Sequence, residues 1–221
     1  MGIHLMPPLY ELVIKAEPVP GPYTEIAPAV YGMTYRYVPG GGTWANVHDG
    51  AGTNVTSPAG TMYSLGNTDP FAAAWATLYR SLVGFDLSGQ SGPIIAAYIA
   101  LTAKTAWDEM SKNPAFNIFD ATPANPGVLA AGDYGNCGVV PYSTAIPYAS
   151  WPAINTVQNF VLNAAALAAI NVAIGVGQFS VSLREAVYDA PNADPGALGF
   201  GKRMGMNNDG ASVRLYIARE A

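Results

Sequence analysis

Charge is scarce in this chain. Lys, Arg, Asp and Glu together make up 11% of its 221 residues, against about 25% in an ordinary soluble domain. The ten Lys and Arg are spread along the sequence and the net charge is −5, so no basic stripe exists to track a phosphate backbone, and nucleic acid is not an expected partner. Cysteine is scarcer still. Cys137 stands alone, which rules out a disulfide within the chain, and with only His4 and His48 beside it no Cys/His set can build a zinc site. No cofactor is expected. An unbroken apolar run of membrane length is also missing: the longest stretch, 160–179, is interrupted by Asn163, Asn171, Gly175 and Gly177, so no membrane span is expected. The first residues, Met1-Gly2-Ile3-His4, lack the basic start and apolar run of a secretory signal, so none is expected at that position.

Half of the residues are hydrophobic, and there are 4 Trp, 13 Tyr and 7 Phe. A surface this poor in charge disperses badly by itself. Contact surfaces between subunits are depleted in charge and enriched in aromatics, so the expected partners are copies of the chain or other proteins of a particle. An Ala/Gly-rich monomer surface is the alternative.

Prolines crowd the first thirty residues at positions 7, 8, 18, 20, 22 and 28 around one apolar run at 10–15. Proline at that density resists helix and central strand, which predicts an N-terminal arm over 1–29, either laid over a neighbour or disordered. From residue 30 short β-type segments alternate with Gly, Pro and Asn clusters, the pattern of an antiparallel sandwich or barrel. Strands are predicted at 30–38, 79–87, 93–107, 115–122, 142–148, 156–162, 177–184 and 212–219. A turn-rich region is predicted over 43–70, and 71–78 reads as a helical turn or a strand start. One short helix is predicted over 164–170, with Asn163 as its cap, Leu162 and Leu167 as a hydrophobic staple, and Asn171 as its stop. The expected architecture is all-β, one sandwich domain over 30–221.

Several segments then occur in a telling order: Tyr79-Arg80-Ser81-Leu82-Val83-Gly84-Phe85-Asp86-Leu87-Ser88, an apolar strand at 94–101, Gly132-Asp133-Tyr134-Gly135, Phe160-Val161-Leu162-Asn163-Ala164 leading to Ala169-Ile170-Asn171, and finally 179–189. This order resembles the jelly-roll β-sandwich modules of the DNRLRE and disaggregatase-related type, found on extracellular proteins and among virus particle proteins. The resemblance covers about 79–189 and implies a non-catalytic module for carbohydrate binding, adhesion or particle assembly. It carries no set of functional residues from one member to another. The proline-rich start departs from the usual context of such modules.

Candidate sites are few. A Ser-His-Asp arrangement would have to use His48 beside Asp49, and no Gly-x-Ser-x-Gly elbow accompanies it. Cys137 has no neighbouring base, which points to a packed thiol. No pair of carboxylates is marked out for glycoside hydrolysis, so the chain is not expected to be an enzyme. Arg80, Asp86, Arg184 and Asp189 are candidates for structural ion pairs, since alternation sends the arginines towards the interior and a buried charge needs a partner; Asp86, Asp133 and Asp189 are otherwise turn caps. Asp189, Asn192 and Asp194 gather three oxygen side chains, a calcium candidate that lacks EF-hand spacing and that Asx-turn chemistry also explains. Trp44, Trp75, Trp107 and Trp151, with Tyr148, are candidates for a sugar-stacking platform, with core or subunit contact as the other reading. Asn54-Val55-Thr56 fits a glycosylation sequon. These observations predict a virion component of a tailed phage, as capsid decoration, fibre or tail protein. The alternative is a carbohydrate-binding or adhesion module at a cell surface or outside the cell.

Overall fold

A computed structural model describes residues 20–197 and 199–221. In chain order the strands are β1 (Thr24–Ile26), β2 (Pro28–Gly42), β3 (Asn54–Thr56), β4 (Thr61–Thr68), β5 (Trp75–Asp86), β6 (Ala96–Asp108), β7 (Ala115–Ala121), β8 (Cys137–Pro141), β9 (Ile146–Pro147), β10 (Val157–Val161), β11 (Gln178–Glu185) and β12 (Arg203–Ala218). Helix α1 (Trp44–His48) follows β2 and α2 (Ala164–Val176) follows β10. Strand accounts for 49% of the chain and helix for 13%, so the protein is all-β, as the spacing of turn residues predicts. Among the described residues no helix is long and apolar enough to cross a membrane.

The sheet is antiparallel throughout and curls into a half-barrel, in the order β10-β6-β12-β4-β5-β11-β7-β8. Its pivot is β5. Along one edge β5 pairs with β2 over most of its length, from Phe85 opposite Pro28 to Trp75 opposite Gly42. The other edge is shared: β4 takes Trp75 to Tyr79 and β11 takes Ser81 to Asp86. Where those two strands diverge, backbone carbonyls would lose their ladder partners, and serines fill the gap. Ser81 Oγ donates to Tyr63 O at 2.9 Å and Ser64 Oγ donates to Leu183 O at 2.5 Å. The main core fills the curl with Val83, Phe85, Ile99, Leu101, Phe116, Phe160, Phe179, Val181, Leu215 and Ile217. Alternation brings these residues to one face of each strand.

Helix α2 begins as expected. Asn163 is extended and its side chain accepts from Ala166 N at 3.1 Å, while Leu162 is in the core and Leu167 packs against it. The expected stop at Asn171 fails. Its amide donates to Leu167 O one turn back and to Ile94 O, and its oxygen accepts from Ile94 N at 2.8 Å, so this asparagine ties a continuing helix to the chain entering β6. The helix ends at Gly177, whose φ of 86° is the left-handed cap that glycine adopts without strain.

Other boundaries move for identifiable reasons. The turn-rich 43–70 region contains α1, β3 and β4, with α1 started by a reciprocal Thr43–Asn46 capping box. The predicted strand 142–148 shrinks to β9, because Asn117 pairs through its side chain with both Ser143 O and Ser143 Oγ in place of ladder bonds. Strand β12 starts nine residues earlier than expected, since β4 and β6 flank its Gly- and Asn-rich first half on both edges. Of the predicted arm, 1–19 lie outside the described residues. The remainder is bound to its own sheet: Pro20 bridges to Glu220, β1 pairs with β12, and β2 begins at Pro28.

Candidate functional site

The densest polar cluster is buried at the fork of β5. The pairing of Leu183 with Ser81 brings Arg184 of β11 beside Arg80 of β5, two like charges that need a shared counter-ion. Asp189 supplies it. Arg80 Nη2 donates to Asp189 Oδ1 at 2.6 Å, Arg184 Nε to Oδ2 at 2.8 Å, and Arg184 Nη2 to Oδ1 at 2.8 Å. Arg184 and Asp189 are 2% and 1% exposed, so these bonds are made away from water. Burial pushes the Asp189 carboxyl up, but the two guanidiniums outweigh it and hold it well below the usual carboxylate range. Burial likewise opposes the charge on Arg80, and Asp189 outweighs it and strengthens that charge.

The remaining guanidinium donors close the surrounding loops. Arg80 Nη1 reaches Tyr134 O at 2.9 Å and its plane lies 4.0 Å over the Tyr134 ring. Arg184 Nη1 reaches Cys137 O and Gly138 O at 2.9 and 2.6 Å. Tyr134 in turn donates its hydroxyl to Val47 O in α1 at 2.5 Å. Glu185 shapes the turn that presents Asp189, accepting from the backbone N–H groups of Ala115, Val187, Tyr188 and Asp189; burial raises this carboxyl and those donors oppose the rise. Two buried guanidiniums therefore share the Asp189 carboxylate at one junction of β5, β11, α1 and the loop before β8, and Glu185 holds the adjoining turn through backbone N–H groups.

No reactive group emerges from this cluster. His48 Nδ1 is 2.6 Å from Asp49 Oδ1 and its Nε2 is 2.7 Å from Asp189 O, so both ring nitrogens already face oxygen acceptors and neither is presented to a nucleophile. Cys137 is buried and its thiol is pushed up to about 12, chiefly by desolvation, the reverse of what a nucleophile needs. As ion-pair candidates, Arg80, Arg184 and Asp189 are brought together. Asp86 is not: it lies at the exposed end of β5 and accepts from Ser88 N at 2.8 Å, a turn cap set by the two-residue spacing. Asp133 also caps turns, accepting from Ala124 N and Ala130 N. The calcium candidates are not assembled. Asp189 is taken up by guanidiniums, Asn192 accepts from Trp44 Nε1 and donates to Asp49, and Asp194 accepts from Gly196 N; among the described residues no three acidic, His or Cys side chains cluster to hold a metal.

The five aromatics expected to form one platform are dispersed. Trp44 is buried edge-on to Trp75 at 4.9 Å. Trp151 meets Phe116 at 5.0 Å, packed against the main core. Tyr148 is exposed beside β9. Only Trp107 stands on an open sheet face, stacked near Tyr63 and 4.7 Å beneath the Arg203 guanidinium.

Sequence reading missed the outer side of α2. The helix has no charged residue, and while Ala166, Ile170 and Ala173 face the core, Ala165, Ala168, Val172 and Val176 are exposed. The two valines are 71% and 74% exposed. Beside them Ala168, Val172, Val176, Tyr142 and Phe179 line an open groove of about 390 Å³. Val157 and Val161 are exposed on β10 at one end of the sheet, and Val139 and Val140 on β8 at the other. The signal was present in the sequence as a 13-residue segment without charge, but a helix with so little polar surface reads equally as one buried in its own fold. No protein-family model matches the chain, and no curated protein matches it.

Proposed function

We propose that this chain is a non-catalytic assembly protein, a virion component of tailed-phage type such as a capsid decoration, fibre or tail protein. The observation that carries the reading is the outer face of α2. A surface helix normally shows polar residues to water, and contiguous exposed apolar patches on soluble proteins mark contact sites. Here Ala165, Ala168, Val172 and Val176 form such a strip, with an apolar groove alongside. The chain's 11% charge supports a surface covered by neighbours rather than by water. The resemblance of 79–189 to jelly-roll modules of particle and surface proteins supports placing it in a virion.

The buried charges fit the same reading. Arg80, Arg184, Glu185 and Asp189 are spent on joining β5, β11, α1 and two loops, which gives a rigid body whose exposed strips keep a fixed geometry relative to one another. The test is recovery of the chain from its source: particles purified from that source contain it as a stoichiometric protein. Its absence from such particles, with the chain found free or in the cell envelope, refutes the assignment.

A further inference from the structure

We propose that the open sheet face around Asn67 binds a glycan chain, with pyranose rings stacked across Tyr35, Tyr79, Tyr63 and Trp107. This goes beyond assembly, and the two readings stand or fall separately. The strand registers form a single row: Tyr35 of β2 is opposite Tyr79 of β5, Tyr79 opposite Leu65 of β4, Leu65 opposite Gly205 of β12, and Gly205 opposite Trp107 of β6. Registered partners share a face, so the row crosses five strands, about 19 Å at ~4.8 Å per strand. Tyr63, two residues before Leu65, joins the same face.

The rings form a graded series. Tyr35 and Tyr79 have centroids 4.7 Å apart, Tyr79 and Tyr63 5.7 Å, and Tyr63 and Trp107 6.4 Å. All four are half-buried: held in place, with area left to offer. Mid-row, Gly205 takes a φ of +147°, and a Cβ there would run into the Leu65 backbone, so no side chain rises between Leu65 and Trp107. Polar groups sit beside the rings. Tyr63, Leu65, Asn67, Tyr79 and Arg203 line a cleft of about 240 Å³. Asn67 also lines an adjoining hollow of about 480 Å³ with Tyr37, Thr77 and Phe71, and Phe71 is 91% exposed. The Asn67 side-chain oxygen is buried without a hydrogen-bond partner among the described residues.

This combination selects its occupant. A pyranose ring offers an apolar C–H face to an aromatic ring and hydroxyls at its edge, and here a continuous row of aromatic rings is flanked by the Asn67 amide and by the Arg203 guanidinium, which lies 4.7 Å over Trp107. Nucleic acid is disfavoured because Arg203 is already paired with Glu109 at 2.9 Å and the chain carries net negative charge.

The test is titration of the purified full chain with a panel of neutral and acidic polysaccharides, read by calorimetry and tryptophan fluorescence. At least one polysaccharide binds. Trp107→Ala, Tyr79→Ala and Tyr63→Ala each weaken that binding by about tenfold or more, the loss expected for a central aromatic anchor, whereas Tyr79→Phe keeps it and Tyr148→Ala, away from the row, leaves it unchanged. Melting curves accompany each variant, and if Trp107→Ala fails to fold, Tyr35→Ala and Asn67→Ala test the same surface. The proposal is overturned if no polysaccharide binds, if binding survives in folded Ala variants of the row, if Tyr148→Ala removes it equally, or if the row captures proline-rich peptides and no glycan.

Discussion

Replacing Asp189 by Asn puts the buried cluster to its sharpest test. The substitution keeps the shape of the side chain and removes the charge shared by Arg80 and Arg184, leaving two guanidiniums within the fold without their counter-ion. Breaking a buried ion pair by deleting one partner costs about 3–5 kcal/mol, most of it the penalty of the charge left behind. For a domain of this size each kcal/mol lowers the melting temperature by roughly 2–4 °C, so a fall of roughly 6–20 °C is expected. Urea unfolding with unchanged slope separates a loss of stability from a changed denatured state. The acid limb carries a second signature. Because the folded-state carboxyl lies below its unfolded value of about 3.9, its stabilisation is complete above that value and is lost as pH falls through the folded one; the gap between wild type and Asp189→Asn therefore narrows below about pH 4. Exchanging all three residues for apolar ones does not restore stability, since the guanidiniums also serve the carbonyls of Tyr134, Cys137 and Gly138. A loss under about 1 kcal/mol for Asp189→Asn would refute the reasoning, because so small an effect is typical of exposed pairs.

Other outcomes follow from single sites. Cys137, buried and with its thiol pushed up to about 12, resists alkylation in the folded protein at pH 8 and reacts fully in denaturant, as mass spectrometry would record; rapid native labelling contradicts this. Gly205→Ala combines an unfavourable φ with a collision against Leu65 and costs about 2–5 kcal/mol in urea unfolding, whereas Gly60→Ala, where a Cβ meets nothing within 4 Å, costs far less. Val172→Lys with Val176→Lys changes the stability of the dissociated chain by no more than about 0.5 kcal/mol per site, because both side chains face solvent in it, and it raises solubility.

How much of this was legible beforehand depended on whether local chemistry or distant pairing decided each element. The fold class and the start of α2 were readable because turn residues, alternation and the Asn163 cap are local signals. Thr43 and Asn46 offered an equally local signal for α1, overlooked among the surrounding glycines. The first half of β12 was not readable: Gly205, Asn207 and Asn208 belong to turn chemistry and become strand only because β4 and β6 are present on either side. Arg80, Arg184 and Asp189 could be foreseen as a group, since two arginines alternating inward need an anion. Asp86 could not be separated from Asp189 by spacing, because only the fold leaves one exposed and encloses the other. The aromatic row is the clearest case of long-range placement. Its residues come from positions 35, 63, 79 and 107, and only strand register brings them into line, whereas tryptophan content grouped Trp107 with Trp44 and Trp151, which pack into the core.

In the proposed assembly, a sparsely charged β body sets the bare side of α2 against a neighbouring copy. Sedimentation velocity of the full chain across a wide concentration range tests it most directly. The expected result is a mass that climbs from one chain to a defined multiple for the wild type, while Val172→Lys with Val176→Lys remains a monomer at every concentration. A wild type that stays monomeric throughout, or an assembly that the two lysines leave intact, would contradict it.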